Sequence, residues 1–359
     1  MNEPEKTPES APKESVPNHG HAKIQVNDIG AKGRASLKSR IIVAAVLIAL
    51  AVPCIVFGGW FWFSFVLLFL LIAIHEVVKA PQKKFHWYIY LFTYILIISF
   101  TVWFLIKYNG KAWKEAIDNN TRFTPSLEAY FSRLDVSLYG VAAALGFYFF
   151  VAIIHDDFTL NDVCYFFTMS ILVGLGFQAL MFLRFYPTYI KVGGTVTGAG
   201  PDNLFRWWTS SLLLIFVVLG TILNDTFAYF VGMFFGKHHM NERISPKKTW
   251  EGFWGGWILS AIFTTAFALI VDACGTPILP NLDLNHWYWV VLIALIIPLF
   301  GDLGDFSFSL IKRFFGFKDF GTILKAHGGI LDRADSLIFA CIAASIVMIF
   351  INGGWDFFA

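Results

Sequence analysis

At 359 residues the chain could form two or three soluble domains of roughly 100–200 residues each, but its composition excludes that: 57% is hydrophobic and 14% charged, against roughly 25% charged in globular proteins. An aromatic share of 18%, with 40 Phe and 13 Trp, and a mean hydropathy of +0.63 point to lipid as the solvent. The net charge of +2 provides no global field for nucleic acid, which is not expected as a partner.

Unbroken apolar runs approach the ~20 residues that a spanning helix needs, whereas a barrel would show alternating strands of ~10. The expected fold is therefore all-α, a polytopic integral membrane protein. Residues 1–36 are rich in Glu, Pro, Lys, Ser and Gly and read as a disordered cytoplasmic tail. Lys32, Arg34, Lys38 and Arg40 then precede the first apolar run. No small-residue cleavage pattern follows it, so a retained helix is expected rather than a signal peptide. Nine spans are predicted: 41–57, 60–78, 87–106, 137–154, 163–183, 209–235, 252–271, 287–301 and 331–351. The sixth is over-long and carries Asn224 and Asp225, which predicts a break there. The predicted organisation is N-terminal transmembrane helices over 37–208, a catalytic transmembrane region over 209–352 and a short tail over 353–359. A cytoplasmic N-terminus places 19 of the 27 Lys and Arg in inside segments and the other 8 outside, an N-in, C-out topology by the positive-inside rule. Cys54, Cys164, Cys274 and Cys341 are far apart and are expected as small core residues.

Two polar stretches interrupt the late spans. The first contains Asn224-Asp225, Gly236-Lys237-His238-His239 and Ser245-Pro246-Lys247-Lys248-Thr249-Trp250-Glu251-Gly252. Ser245 followed by Pro246 predicts a helix start with Ser245 as cap, and free N–H groups beside two lysines would suit a phosphate. The lysines alone would equally serve as a topology anchor. Asp225 argues for function, because a carboxylate at mid-span costs about 2.5–3.5 kcal/mol on the insertion scale.

The second stretch runs from Gly301-Asp302-Leu303-Gly304-Asp305 through Ser309, Lys312, Arg313, Lys318 and Asp319 to His327-Gly328-Gly329, Asp332, Arg333, Asp335 and Ser336. If 302–313 is helical at about 100° per residue, then Asp302, Asp305, Ser309, Lys312 and Arg313 share a stripe about 100° wide. Two carboxylates and two cations on one stripe suit a metal–phosphate ligand. Gly328-Gly329 would let backbone approach such a ligand. A carboxylate set without paired Cys or His favours a hard cation such as Mg²⁺ over zinc. A purely internal charge network is the competing reading.

At these residues the chain resembles the membrane-bound phosphatidate cytidylyltransferases, also called CDP-diacylglycerol synthases. Their signature S-x-x-K-R, four residues, K-D, then H-G-G-x-x-D-R-x-D is matched by Ser309, Lys312, Arg313, Lys318, Asp319, His327, Gly328, Gly329, Asp332, Arg333 and Asp335. The S-P-x-K-T-x-E-G stretch and the Asp225/Ala228/Tyr229 group are also similar to the family. The resemblance covers about 209–352; earlier spans match only in hydropathy. Lys325 stands where the family usually has Pro or Gly, and Ala334 where it has a larger aliphatic residue, so the loop's shape or charge differs. Counting back from Ser309 selects Asp305 as the family's Gly-Asp carboxylate, with Asp302 an additional one.

The resemblance implies transfer of a cytidylyl group from CTP to phosphatidate. It implies Asp305 and Asp332 as ligands of Mg²⁺, with room for a second, monovalent cation such as K⁺. Lys248, Lys312, Arg313 and Arg333 are expected on phosphates. Asp225, Asp319, His327 and Asp335 are expected beside them, and Ser245, Ser309, Lys318, Gly328 and Gly329 near substrate. The lipid bilayer is the expected surroundings, a bacterial plasma membrane the expected location with the active site facing the cytoplasm, and a homodimer is left open. Alternatives are another CTP-using lipid enzyme (a polyprenol kinase or an archaeal-type lipid cytidylyltransferase) or a transporter. A transporter would place its carboxylates near the membrane midplane, often in repeated halves.

Overall fold

The computed structural model describes residues 45–118, 136–185, 191–192, 195–196, 204–275, 278, 282, 284–321 and 328–351. The tail, Lys325 and His327 lie outside the described residues. Nine helices occur among those described: α1 (Ala45–Phe57), α2 (Gly59–Lys79), α3 (Trp87–Asp118), α4 (Val136–Ile154), α5 (Leu160–Phe185), α6 (Leu204–Phe235), α7 (Trp250–Ala273), α8 (Trp287–Phe314) and α9 (Leu331–Ile351). Six segments are long and apolar enough to cross a membrane: Gly59–Lys79, Leu160–Phe185, Ser211–Phe235, Trp250–Ala273, Leu284–Phe314 and Leu331–Ile351. Two antiparallel hairpins add β1 (Lys191–Val192) with β2 (Thr195–Val196), and β3 (His239–Asn241) with β4 (Ser245–Thr249). Among the described residues the fold is therefore helical apart from these two short hairpins, of which β3–β4 joins α6 to α7.

Two expectations about helix ends are corrected. α6 runs unbroken through Asn224 and Asp225. Its helical bonds survive because the Asn224 side chain finds a partner on α8 instead of competing for the local backbone. The eighth span and the polar stretch after it form a single helix, α8, which continues past Gly301 to Phe314 with Pro298 inside it. Neighbouring helices support such a proline in a spanning segment.

The helices pack as α6 along α7, α8 along α9, and α5 against both α3 and α9. At the α6–α7 seam, a Cβ on Gly256 would lie 2.7 Å from Ala228 Cβ and 2.9 Å from Asn224 O. Only glycine permits this approach, the small-residue contact by which spanning helices associate. Ser260 Oγ donates to Gly220 O at 2.7 Å and Trp257 Nε1 donates to Leu295 O at 2.7 Å, which ties α7 to α6 and α8. The core of the first five helices holds Tyr148, whose hydroxyl is within 2.8 Å of Thr93 Oγ1 and 3.0 Å of Ser170 Oγ. Cys341 is buried as expected and Cys54 half-buried, but Cys164 on α5 and Cys274, just past the end of α7, are exposed.

Candidate active site

Four elements meet at one end of the bundle: the end of α6 with the β3–β4 hairpin that follows it, the part of α8 from Asp302 to Phe314, and the start of α9. The hairpin replaces the helix start predicted at Ser245. Asn241 Oδ1 accepts from Arg243 N at 3.1 Å and Ile244 N at 3.2 Å, which closes the turn. Strand pairing sets His239 opposite Thr249 and Asn241 opposite Ser245. Pro246 tolerates an edge strand because it needs no ladder donor there. The cap of α7 is Thr249, whose side chain accepts from Gly252 N at 3.2 Å. Glu251 closes the base of the hairpin by accepting from Lys237 N and His238 N at 3.1 and 3.2 Å.

The hairpin aims Lys248 across to α8. Its Nζ donates to Asp302 Oδ1 at 2.7 Å and lies 2.8 Å from Asp305 Oδ2. Asp302 is buried and its other oxygen accepts from Asn224 Nδ2 at 2.9 Å; Asp305 is half-buried and accepts from Ser309 Oγ at 3.3 Å. Burial alone would lower the Lys248 ammonium. The carboxylates of Asp302 and Asp305 outweigh it and hold its pKa above the ordinary lysine value. Asp302 is thus more than an additional carboxylate, since it joins α6, α8 and the hairpin.

A second pair lies between α8 and α9. Lys312 Nζ is 3.0 Å from Asp332 Oδ1 and 3.9 Å from Asp335 Oδ2, all three being buried. Asp332 Oδ2 accepts from Phe320 N at 2.8 Å and Gly329 N at 2.9 Å, while Asp335 Oδ1 accepts from Ser336 N at 2.8 Å. The predicted stripe on α8 therefore divides. Asp302, Asp305 and Ser309 join Lys248; Lys312 joins α9; Arg313 is exposed and turns to the hairpin, its Nε 3.4 Å from Ile244 O. Asp225 and Arg333 are exposed at the mouth, and Asp225 lies within the fields of Lys248, Asp302, Asp305 and Arg333. Ser245 is half-buried on β4, and Lys318 and Asp319 are exposed beyond α8.

The glycines have a different reason from the one predicted. Gly328 has φ 79°, and a Cβ there would lie 2.9 Å from Asp332 Oδ2. A Cβ on Gly329 would meet Glu76 Oε1 and Oε2, each at 2.5 Å. Glu76, buried near the end of α2, accepts from Ile330 N and Leu331 N, both at 2.9 Å. The N-terminus of α9, read from sequence as open to a ligand phosphate, is filled by this internal carboxylate, a favourable partner for helix N–H groups and their dipole. Sequence reasoning missed Glu76, although an acid inside the apolar run 60–78 was the available signal. It also missed Asn224 as the bridge to Asp302.

An oxygen-seeking cation fits this geometry. Oxygens of Asp302 and Asp305 converge on a single point, now taken by the Lys248 ammonium, and Asn224 Oδ1 is buried beside them without a hydrogen-bond partner. A donor set made only of oxygens suits Mg²⁺.

The model of the cytidylyltransferase family matches residues 38–351. Curated relatives named phosphatidate cytidylyltransferase include one from Staphylococcus epidermidis, 40% identical over 136 residues, which cover 38% of this chain and 48% of that protein. One from Staphylococcus haemolyticus is 42% identical over 136 residues, with the same coverage. One from Bacillus subtilis is 31% identical over 208 residues, 58% of this chain and 65% of the relative. The matched stretch thus spans about half the length of the staphylococcal proteins and 65% of the Bacillus protein. Because the family match extends from before α1 to the end of α9, taking in both ion-paired clusters, the chain belongs to the cytidylyltransferase family.

Proposed function

We propose that the chain is a phosphatidate cytidylyltransferase that converts CTP and phosphatidate to CDP-diacylglycerol and diphosphate. The observation that carries this reading is the pair of ion clusters joined through α8, Lys248 with Asp302 and Asp305, and Lys312 with Asp332 and Asp335. A reaction between two polyanions needs cationic groups held ready by acids, and this end of the bundle provides them.

In the proposed reaction a phosphatidate oxygen attacks the α-phosphorus of CTP. The bond from that phosphorus to the bridging oxygen of the β-phosphate breaks, and diphosphate leaves with the electron pair. Phosphate monoesters are largely ionised at neutral pH, with a second pKa of ~6, so no side chain has to remove a proton. Asp305 and Asp332 are assigned to the metal, with Asp302 and Asn224 Oδ1 beside Asp305. Mg²⁺, when bound, neutralises phosphate charge and polarises the reacting phosphoryl group. With Asp302 and Asp305 engaged by a cation, the Lys248 ammonium that they now hold would be free to contact a substrate phosphate. Lys312 holds Asp332 in place. Arg333 at the mouth grips a phosphate, and Arg313 does so from beside the hairpin turn. Asp225 and Asp335 position these cations, while Ser245, Ser309, Lys318, Asp319 and His327 lie along the substrate path. A second, monovalent cation such as K⁺ would share the carboxylates.

The topology proposed with this reading is nine spans, N-in and C-out, with the site facing the cytoplasm of a bacterial plasma membrane. Charge counting supports it, as does the gathering of the polar residues at one end of the helices. The test is formation of CDP-diacylglycerol by purified protein from CTP, with phosphatidate and Mg²⁺ each omitted in turn. Product that requires all three supports the proposal; product formed without phosphatidate or without a divalent cation contradicts it.

A further inference from the structure

Two connections carry a cluster that shares no residue with the reaction centre. One joins α2 to α3 and ends in His86; the other joins α4 to α5 and begins with His155, followed by Asp157. The frame beneath them is fixed. Lys83 Nζ donates to Asp162 Oδ1 and Oδ2 at 3.1 and 3.0 Å, and Thr159 N and Oγ1 donate to Asp162 Oδ2 at 3.0 and 2.7 Å. Phe85 packs edge-on against Phe158 and Phe166, with ring centroids 5.4 and 5.3 Å apart. The backbone carbonyls of both histidines are used locally, His86 O by Ile89 N and His155 O by Phe158 N, each at 3.1 Å.

On this frame the two imidazoles meet ring to ring, with centroids 4.3 Å apart and planes at 40°; Tyr88 lies parallel to the His86 ring at 5.4 Å. One donor atom from each of His86, His155 and Asp157 falls within 4.8 Å of the other two. We propose that these three residues bind a divalent transition metal of borderline softness, of the Zn²⁺ or Co²⁺ type, which staples the α2–α3 connection to the α4–α5 connection. Two imidazoles and one carboxylate select such an ion over Mg²⁺, which prefers oxygen alone. Three protein ligands leave a position for water, as in zinc centres of this ligand count. Zn–N and Zn–O lengths of about 2.0–2.2 Å place tetrahedral donors about 3.4 Å apart. His86 and Asp157 are exposed and His155 half-buried, so side-chain rotation closes the remaining gap while the frame stays in place.

The test uses the full chain, purified in detergent without a polyhistidine tag, stripped of metal and titrated with Co²⁺ alone. The expected result is the visible absorption of a protein-bound Co²⁺ centre, saturating at one equivalent. His86→Ala and His155→Ala each abolish it, and Asp157→Asn weakens binding tenfold or more. A His238→Ala/His239→Ala double variant, altered at other exposed histidines, keeps the spectrum. In parallel, Zn²⁺ raises the thermal unfolding midpoint of the wild type but not of the His86 and His155 variants. Those variants elute as the wild type does, which separates lost binding from misfolding. The proposal is overturned if the His86→Ala/His155→Ala double variant binds Co²⁺ with unchanged stoichiometry and spectrum. It is equally overturned if the wild type gives neither a Co²⁺ spectrum nor a Zn²⁺ shift at stoichiometric metal.

Discussion

Replacing Glu76 by Gln probes how the first half of the chain supports the second. The carboxylate accepts two backbone N–H bonds, from Ile330 and Leu331, at 2.9 Å each. Hydrogen bonds to a charged acceptor contribute about 1.5–3 kcal/mol apiece, and a buried N–H left without an acceptor costs about 1–3 kcal/mol. Gln keeps one acceptor oxygen but turns an NH₂ group toward the other backbone N–H. The start of α9 should therefore lose about 2–4 kcal/mol of its hold on α2, and Asp332, which sits in that first turn, should move with it. If about 1.4–2 kcal/mol of the loss reaches the transition state, kcat falls tenfold to thirtyfold. The assay is CDP-diacylglycerol formation at saturating CTP and phosphatidate, with the thermal midpoint of the same preparation measured alongside. Glu76→Ala, which removes both acceptors, should be more severe. Wild-type kcat together with a wild-type midpoint in Glu76→Gln would refute the reasoning.

Asp302→Asn should reduce turnover as severely as Asp305→Asn, because each removes a charge that balances Lys248 and faces the cation; near-normal Mg²⁺-dependent activity in either would remove that residue from the site. Lys248→Ala should raise the apparent KM for CTP or phosphatidate or lower kcat without preventing membrane insertion, and unchanged kinetics would return it to the role of a topology anchor. Its raised pKa means that the Lys248 ammonium contributes stability fully below the unfolded lysine value and loses it only as pH rises through the higher folded value. The Lys248→Ala defect should accordingly be constant from about pH 6 to about pH 9, as measured by the ratio of mutant to wild-type rate across that range. Cysteines introduced at 240–245 should react with an impermeant thiol reagent only from the cytoplasmic side and one near Asn281 only from outside, the opposite pattern contradicting the N-in topology.

Hydropathy located the middle of each helix but not every end, since α3 and α8 run on to Asp118 and Phe314. The run 331–351 coincides with α9, and 302–313 is helical as the stripe on Asp302, Asp305, Ser309, Lys312 and Arg313 required. Local signals failed where distant partners decided the outcome. Ser245-Pro246 reads as a helix start, yet cross-strand pairing with His239–Asn241 carries the segment as a strand to a cap at Thr249. Asn224-Asp225 reads as a helix break because its partner on α8 lies 78 residues away. Gly328-Gly329 reads as an opening for ligand because the occupant of that helix end, Glu76, comes from a helix 254 residues earlier in the chain. The stripe on α8 was legible as a face, but its division between the hairpin and α9 depends on neighbours that periodicity does not specify.

The position of the label in the lipid product tests the central claim most directly. Purified protein would be given phosphatidate, Mg²⁺ and CTP labelled either at the α-phosphorus or at the γ-phosphorus. Cytidylyl transfer predicts that α-label enters the organic phase as CDP-diacylglycerol while γ-label stays in the aqueous phase as diphosphate. Entry of γ-label into lipid, with the α-label left in water, would mean phosphoryl transfer by a CTP-dependent kinase and would contradict the account.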